Sequence, residues 1–378
     1  MATVKKILFV VNAPEFFLSH RLPLAEAAKD QGYEVHVASA SGEQAGAIAD
    51  LGFAHHVVPF VRSGQNPMVE LKTFLDLVQL FRRLRPDLVH LITIKPVLYG
   101  GIAARLSGIE AVVSAVSGLG TVFLASSPMG KARRWLVKQL YASAFNLRKL
   151  AVIFQNPDDR DTLLRMEALQ IGSTRLIRGS GVNLQDYPHL AEPQGTPVVV
   201  MAARLLRDKG VVEFVEAARS LKERGVDVKM RLIGSRDPGN PTSVTDQDLK
   251  LWERDGLVEL MGFRSDIAEQ YAAANIVCLP SYREGLPKSL VEAAACGRAV
   301  ITTDVPGCRD AITPNITGLL VPVKNVVALA DSIQSLIENP ALRHQMGQAG
   351  RGLAEDEFAI EKIAAQHLQI YEELLRDG

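Results

Sequence analysis

The chain has 378 residues, too many for one ordinary core and suited to two domains of common size. Apolar residues make up 47% and charged residues 22%, an ordinary soluble composition. Lys plus Arg equals Asp plus Glu at 42 each, which speaks against a whole-molecule nucleic-acid binder.

The N-terminal run Ile7 to Val11 is strand-like and too short to span a membrane. It ends in Asn12-Ala13-Pro14 rather than a signal-peptidase site, so a cytoplasmic chain is expected. Helical spacing follows over 20–31, then a strand from Val35 to Ala38, a helix ending near Arg85, and strands at 87–92, 111–116 and 151–154. The Gly- and Pro-bearing stretch 178–197 reads as a linker. A second series of strands follows at 198–203, 228–233, 257–261, 275–279 and 299–302, and the last helix is placed at 357–375. Strands alternating with helices predict an α/β chain of two doubly wound parallel sheets, whose ligands sit beyond the strand carboxyl ends. Two such units facing each other would enclose a cleft. Cys278, Cys296 and Cys308 cannot form a disulfide framework and are expected as buried free thiols in a reducing compartment.

The strongest chemical signal is 276–297, IVCLPSYREGLPKSLVEAAACG. A strand runs into the loop Ser281 to Pro287 and a helix begins near Lys288. Gly285 permits close backbone approach, Pro287 suits a first helical turn, and the opening amides form a site for phosphate. Glu284 stands just before that anion site and Glu292 lies inside the helix. Either the two bind hydroxyls of a ligand or they are a solvated pair at a helix start. A second signal is 198–212, VVVMAARLLRDKGVV. Arg204 closes a strand, Lys209-Gly210 precede a helix, and Asp208 is its expected N-cap. Arg204 and Lys209 either offset charge on a leaving diphosphate without a metal or flank a turn at the surface.

The E-x7-E of Glu284 and Glu292, the R-x4-K of Arg204 and Lys209, and 259–266 (ELMGFRSD) together resemble the retaining GT-B glycosyltransferases of family 4. The resemblance spans the chain in layout and is densest from 198 to 320. It implies an acceptor domain over 1–180, a nucleotide-sugar domain over 181–358, and a final helix, 359–378, returning to the first domain. It implies that Arg204 and Lys209 bind the diphosphate and that Glu284 contacts the donor sugar with Gly285 and Leu286 beside it. Glu292 would hold the ribose, and Phe263 and Arg264 would lie near the base. No cofactor is implied, a UDP-sugar being a co-substrate.

The first half departs from the family pattern. Many members of the family it resembles carry a Gly-Gly pair after the first strand, where this chain has Asn12 to Arg21, and many a His near the position of Ser117. With 90–100 (HLITIKPVLYG), these departures resemble the subgroup acting on polyprenyl-diphosphate sugars in bacterial surface-glycan assembly, the hexosamine transferases of N-linked glycan pathways among them. The resemblance makes His20, Arg21, Lys95 and Ser117 acceptor-side candidates, with His20 read equally as a surface residue at a helix start. A helix over 129–149 carries Lys131, Arg134 and Lys138 on one face, with Phe123 and Leu124 nearby in sequence. It reads either as a helix resting on anionic lipid or as a core-packed helix with a basic outer face.

Asp159-Arg160-Asp161 and Asp246-Gln247-Asp248 read D-x-D but stand at a helix start and in a polar insertion, where acids are structural. No His/Cys cluster has metal-ligand spacing, so no metal is expected. The first strand lacks a following G-x-G-x-x-G, against a dehydrogenase. A nucleotide-sugar-binding module, an epimerase of the same layout and a transferase with a soluble acceptor remain the alternatives.

Overall fold

The computed structural model describes residues 4–61, 66–119 and 128–376. The chain divides into two units, Met1–Ser180 with Ile360–Gly378, and Gly181–Ala359.

Unit 1 holds seven parallel strands: β1 (Lys6–Val10), β2 (Glu34–Ser39), β3 (Ala54–Val57), β4 (Leu88–Ile92), β5 (Ala111–Val116), β6 (Lys149–Phe154) and β7 (Thr174–Leu176). Their order is β3-β2-β1-β4-β5-β6-β7. Helices α1 (Pro14–His20), α2 (Leu22–Asp30), α3 (Ala45–Asp50), α4 (Pro67–Leu84), α5 (Gly101–Leu106), α6 (Pro128–Ala144) and α7 (Pro157–Arg165) connect them. In unit 2 the strands β8 (Val198–Ala202), β9 (Lys229–Ile233), β10 (Glu259–Gly262), β11 (Ile276–Leu279), β12 (Ala299–Thr303) and β13 (Gly318–Val321) run in the order β10-β9-β8-β11-β12-β13. Its helices are α8 (Val211–Glu223), α9 (Asp246–Arg254), α10 (Ile267–Ala272), α11 (Lys288–Ala295), α12 (Val326–Glu338) and α13 (Pro340–Leu353). All the strand pairings are parallel, and β4, β5, β11 and β12 are buried along their whole length. That is why their sequences are continuous apolar runs rather than alternating ones.

The strand order reverses between β1 and β4 in unit 1 and between β8 and β11 in unit 2. At such a switch point two neighbouring loops diverge to opposite faces of the sheet and leave a crevice at the carboxyl edge. The sequence expectations match the central strands closely. They miss β3, β7 and β13, which stand at or next to sheet edges, are short, and carry His, Arg or an opening Gly. The helix expected over 20–31 is α2, and a further helix, α1, precedes it and meets it at Arg21.

The last helix, α14 (Ile360–Leu375), packs in unit 1 against the same sheet face as α2. The chain enters and leaves unit 2 side by side: Val182 pairs with Ala359 and its N–H donates to the Phe358 carbonyl at 2.8 Å. Tyr371 of α14 hydrogen-bonds His90 Nδ1 at 2.6 Å, and His367 stacks on His90 with centroids 5.7 Å apart. Burial drives the His90 imidazole well below its ordinary value and His367 to about 3. Burial, with His36 next, lowers His56 on β3 to about 4. These imidazoles are neutral in the fold and protonate only on unfolding, so the unfolded state binds more protons below pH of about 6.5.

Unit 1 stability is therefore fully present above that pH and is lost as pH falls toward 4. Each fully buried imidazole steepens the loss by up to about 1.4 kcal/mol per pH unit. Urea unfolding measured at successive pH values should show this slope, and His367→Leu should flatten it. A pH-independent midpoint between pH 6.5 and 4 would contradict the buried neutral assignment.

Candidate active site

The crevice of unit 2 is built by three loops that glycines allow to approach one another. After β8 the chain makes a short 3-10 turn, Arg207–Lys209, and Gly210 enters the left-handed region at φ 76° before α8 begins. A Cβ on Gly210 would overlap the Pro280 carbonyl, so its absence lets this turn press against the end of β11. One bond clamps the contact: the Tyr282 N–H donates to the Asp208 carbonyl at 2.9 Å, with Ser281 Oγ 3.1 Å from the same oxygen. Asp208 is thus held through its carbonyl. It does not cap α8, whose N-cap is Gly210 without a side-chain bond.

Lys209 Nζ consequently lies 2.5 Å from Glu284 Oε1, with the two side chains 21% and 11% exposed. Ser281 Oγ donates to the same carboxylate oxygen at 2.7 Å. The third loop, after β12, braces Glu284 from the other side. Glu284 N–H donates to the Pro306 carbonyl at 3.1 Å, and a Cβ on Gly307 (φ 81°) would overlap the carbonyls of Glu284 and Gly285. The Thr303 hydroxyl donates to the Ser281 carbonyl beneath. Cys308 is buried there, its thiol pushed up to about 12 by burial and then by Glu284, so it packs rather than reacts.

Helix α11 starts at Lys288 with Pro287 as N-cap, and Leu286 is buried at its mouth. The small residues Ala293 to Ala295 and Gly297 let α13 close on α11: a Cβ on Gly347 would overlap the Gly297 carbonyl. Glu292, 8% exposed, accepts from the Tyr187 hydroxyl at 2.6 Å and from Lys288 Nζ at 3.3 Å. Burial, with Glu292 second, raises the Tyr187 phenol and keeps it a donor.

Arg204 pairs with Asp237 at 2.7 Å and is 47% exposed. Asp237 stands in the loop after β9, and the Gly234 N–H there donates to the Gly262 carbonyl at 2.8 Å. The same carboxyl edge thus presents Phe263, 77% exposed, and Arg264. Arg264 is gripped by both oxygens of Asp266 at 2.8 and 2.5 Å, and these bonds hold the Asp266 carboxyl down at about 2. Sequence reasoning missed Ser281, Tyr187, Asp237 and Lys324, whose ammonium sits 4.7 Å from the Tyr282 ring centre. A polar residue three before Glu284 was a usable signal for Ser281. Tyr187 lay hidden in the linker.

In unit 1 a pocket of about 400 Å³ opens at the β1/β4 switch point, lined by Asn12, Phe16, Thr93, Ile94, Lys95, Ser117 and Gly118. Lys95 and Ser117 are brought together there. Lys95 Nζ bonds Glu70 Oε1 and the Val61 carbonyl, each at 2.6 Å. Thr93 takes φ 74°, a costly state for a β-branched residue beside a pocket. His20 ends α1 instead of starting a helix, and its ring stacks on Phe16 at 4.3 Å. Arg21 corrects its sequence placement: it is 3% exposed, and burial lowers its guanidinium to about 10, so it is a core cation rather than an acceptor-side group.

The acids of both D-x-D sequences make bonds within the fold. Asp159 receives the Leu119 N–H at 3.3 Å and opens α7 with Asn156. Asp248 forms a capping box with Thr245, and Asp246 pairs with Arg236. Lys131, Arg134, Phe123 and Leu124 have side chains outside the described residues. Farther along α6, Trp135 and Leu136 are 63% and 52% exposed, Lys138 pairs with Glu167 at 3.3 Å, and Phe145 just beyond the helix is buried. Among the described residues no helix is long and apolar enough to cross a membrane.

Residues 185–353 match the model of glycosyl transferases group 1, and residues 6–156 match that of glycosyl transferase 4-like domains. An N,N'-diacetylbacillosaminyl-diphospho-undecaprenol alpha-1,3-N-acetylgalactosaminyltransferase of Campylobacter jejuni is 30% identical over 98% of this chain and 100% of its own. The chain belongs to the group 1 glycosyltransferases. A UDP-Gal:alpha-D-GlcNAc-diphosphoundecaprenol alpha-1,3-galactosyltransferase of Escherichia coli is 23% identical over 75% of each chain. Among solved structures, a glycosyltransferase of Rickettsia africae superposes over 100% of both chains with a TM-score of 0.79 at 20% identity. HepE of Anabaena, solved with UDP, covers 97% of this chain and 100% of its own at 0.76 and 19%. These structures establish the GT-B glycosyltransferase fold for this transferase.

The bracing of Glu284 yields a direct expectation. Gly307→Ala in this glycosyltransferase should lower unit 2 stability by about 2 kcal/mol or more through left-handed strain plus overlap. Gly225→Ala, at φ 72° with open space around it, should cost only the strain, about 1 kcal/mol. Thermal melts of the two variants measure the difference, and equal shifts would contradict the close approach.

Proposed function

We propose that the enzyme moves an N-acetylhexosamine, N-acetylgalactosamine first among them, from a UDP-sugar to a polyprenyl-diphosphate-linked saccharide in bacterial glycan assembly. The full-length similarity to the Campylobacter jejuni transferase supports this substrate class. The observation that carries the reaction type is the convergence of Lys209 and Glu284, 2.5 Å apart, at the switch point of unit 2, with Arg204 on the same edge.

In this reading Lys209 and Arg204 bind the donor diphosphate, assisted by the first-turn amides of α11. Glu284, Gly285 and Leu286 receive the sugar, Glu292 the ribose, and Phe263 and Arg264 flank the base. The transfer retains anomeric configuration. The acceptor hydroxyl attacks C1 on the face the diphosphate leaves, the C1–phosphate oxygen bond breaks, and the hydroxyl proton passes to a leaving-phosphate oxygen. The two cations offset the charge that develops on UDP, so a divalent ion is not required. His20, Lys95 and Ser117 lie on the acceptor side. A lipid-linked acceptor places the enzyme on the cytoplasmic face of the cell membrane, with the exposed Trp135 and Leu136 of the basic helix α6 as a contact.

The test is transfer from UDP-N-acetylgalactosamine and UDP-N-acetylglucosamine to a short-chain polyprenyl-diphosphate N-acetylhexosamine in the presence of EDTA. The expected product is α-linked by NMR, and chelation leaves the rate unchanged. Lys209→Ala should cut kcat about 100-fold while the acceptor KM moves by less than about threefold. A β-linked product, loss of rate with EDTA, or small equal effects on both constants would each contradict the mechanism.

A further inference from the structure

The inner side of α4 follows ordinary amphipathic logic, with Leu77, Val78, Leu80 and Phe81 buried in the unit 1 core. Its outer side does not. Met68, Leu71 and Leu75 are 79%, 57% and 55% exposed. At 3.6 residues per turn these three fall within an arc of roughly 60°. Single exposed apolar residues are ordinary, but three large ones aligned over two turns of one helix form a patch that calls for a partner. Exposed Arg82 lies within that arc, exposed Gln79, Lys72 and Arg83 widen it to roughly 120°, and half-buried Asp76 stands about 20° beyond. The helix thus presents apolar side chains at its start and cations toward its end, about 22 Å from Met68 to Arg83.

The position of this face matters as much as its composition. As the crossover from β3 to the parallel strand β4, helix α4 runs opposite to the strands, so its first turn stands at the carboxyl edge of the sheet. The Lys95 ammonium ties that turn, through Glu70, to the Val61 carbonyl. Val61 and Ile94, 39% and 38% exposed, belong to these tied segments and extend the apolar surface, and Ile94 also lines the switch-point pocket. Helices α4, α5 and α6 share one face of the sheet. The sequence from 128 to 149 holds Lys131, Arg133, Arg134, Lys138, Arg148 and Lys149 and not one acid.

We propose that the outer face of α4 is a docking surface for an anionic lipid bilayer. Met68, Leu71 and Leu75 enter the boundary between headgroups and acyl chains, and Lys72, Arg82 and Arg83 pair with headgroup phosphates. An apolar stripe flanked by like-signed cations, on the same sheet face as a helix that carries an exposed Trp and no acid, matches a negatively charged lipid surface. The proposal rests on the lipid-linked acceptor proposed above, because docking along α4 would hold the mouth of the unit 1 pocket at the membrane plane.

The experiment sediments the full chain with vesicles of phosphatidylcholine alone and with about one-third phosphatidylglycerol. The wild-type protein should bind the anionic vesicles, and binding should weaken as salt screens the cations. The triple variant Met68→Ser, Leu71→Ser, Leu75→Ser should bind at least about tenfold more weakly. The pair Arg82→Glu, Arg83→Glu should lose the preference for anionic vesicles. The far-UV circular dichroism and the thermal melting transitions of the vesicle-free protein should match wild type in both, which shows that unit 1, where the substitutions lie, is folded. Absence of wild-type binding, or triple-variant binding equal to wild type, overturns the proposal. So does a dimer seen by light scattering that the triple variant abolishes without any vesicle binding. The assay contains no sugar substrate, so vesicle binding without transfer would sink the functional reading alone. Transfer to a detergent-solubilised acceptor without vesicle binding would sink this one alone.

Discussion

The ion pair between Lys209 and Glu284 is the constraint on which the crevice of unit 2 depends. It forms where the sheet of unit 2 reverses its strand order, and three loops must approach within backbone contact to make it. Gly210 admits the carbonyl of Pro280, and Gly307 admits those of Glu284 and Gly285. The backbone carbonyls of Asp208 and Pro306 lock the arrangement with hydrogen bonds. The fold thus fixes a cation and a carboxylate that flexible surface side chains would hold only weakly.

Under the proposed function, that pairing is what lets one crevice hold both a carboxylate and a diphosphate. A bare carboxylate beside a helix start would repel phosphate. With Lys209 bound to it and Ser281 donating to the same oxygen, Glu284 is already compensated, and the ammonium keeps donors for a second anion. Arg204 stands in a similar relation to Asp237, half-exposed and able to exchange partners. Glu292 is different in kind. It is buried and held by Tyr187 and Lys288, which fixes its orientation before any ligand arrives.

Much of this was legible in the chain itself. Fully buried strands announce themselves as apolar runs, so the central strands of both sheets read clearly. The edge strands β3 and β7 did not, because half-exposed strands tolerate His, Thr and Arg. The spacing of Arg204, Lys209, Glu284 and Glu292 pointed to one crevice because strand-loop-helix units put their loops on one edge. What the spacing could not carry was tertiary. Arg21 is polar in the sequence yet packs near Tyr371, a residue of α14 350 positions away. Asp208 resembled a helix cap, but a glycine in the left-handed region takes that position and turns the aspartate to serve through its backbone. Tyr187 belonged to a stretch whose turn residues suggested only a connection.

The most direct test of the account is a crystal structure of the protein with UDP. The diphosphate should lie at the start of α11, with Lys209 Nζ and the Arg204 guanidinium within hydrogen-bonding distance of its oxygens and the ribose hydroxyls against Glu292. A nucleotide bound away from the β8–β11 junction, or one seated there with both cations turned to solvent, would contradict it.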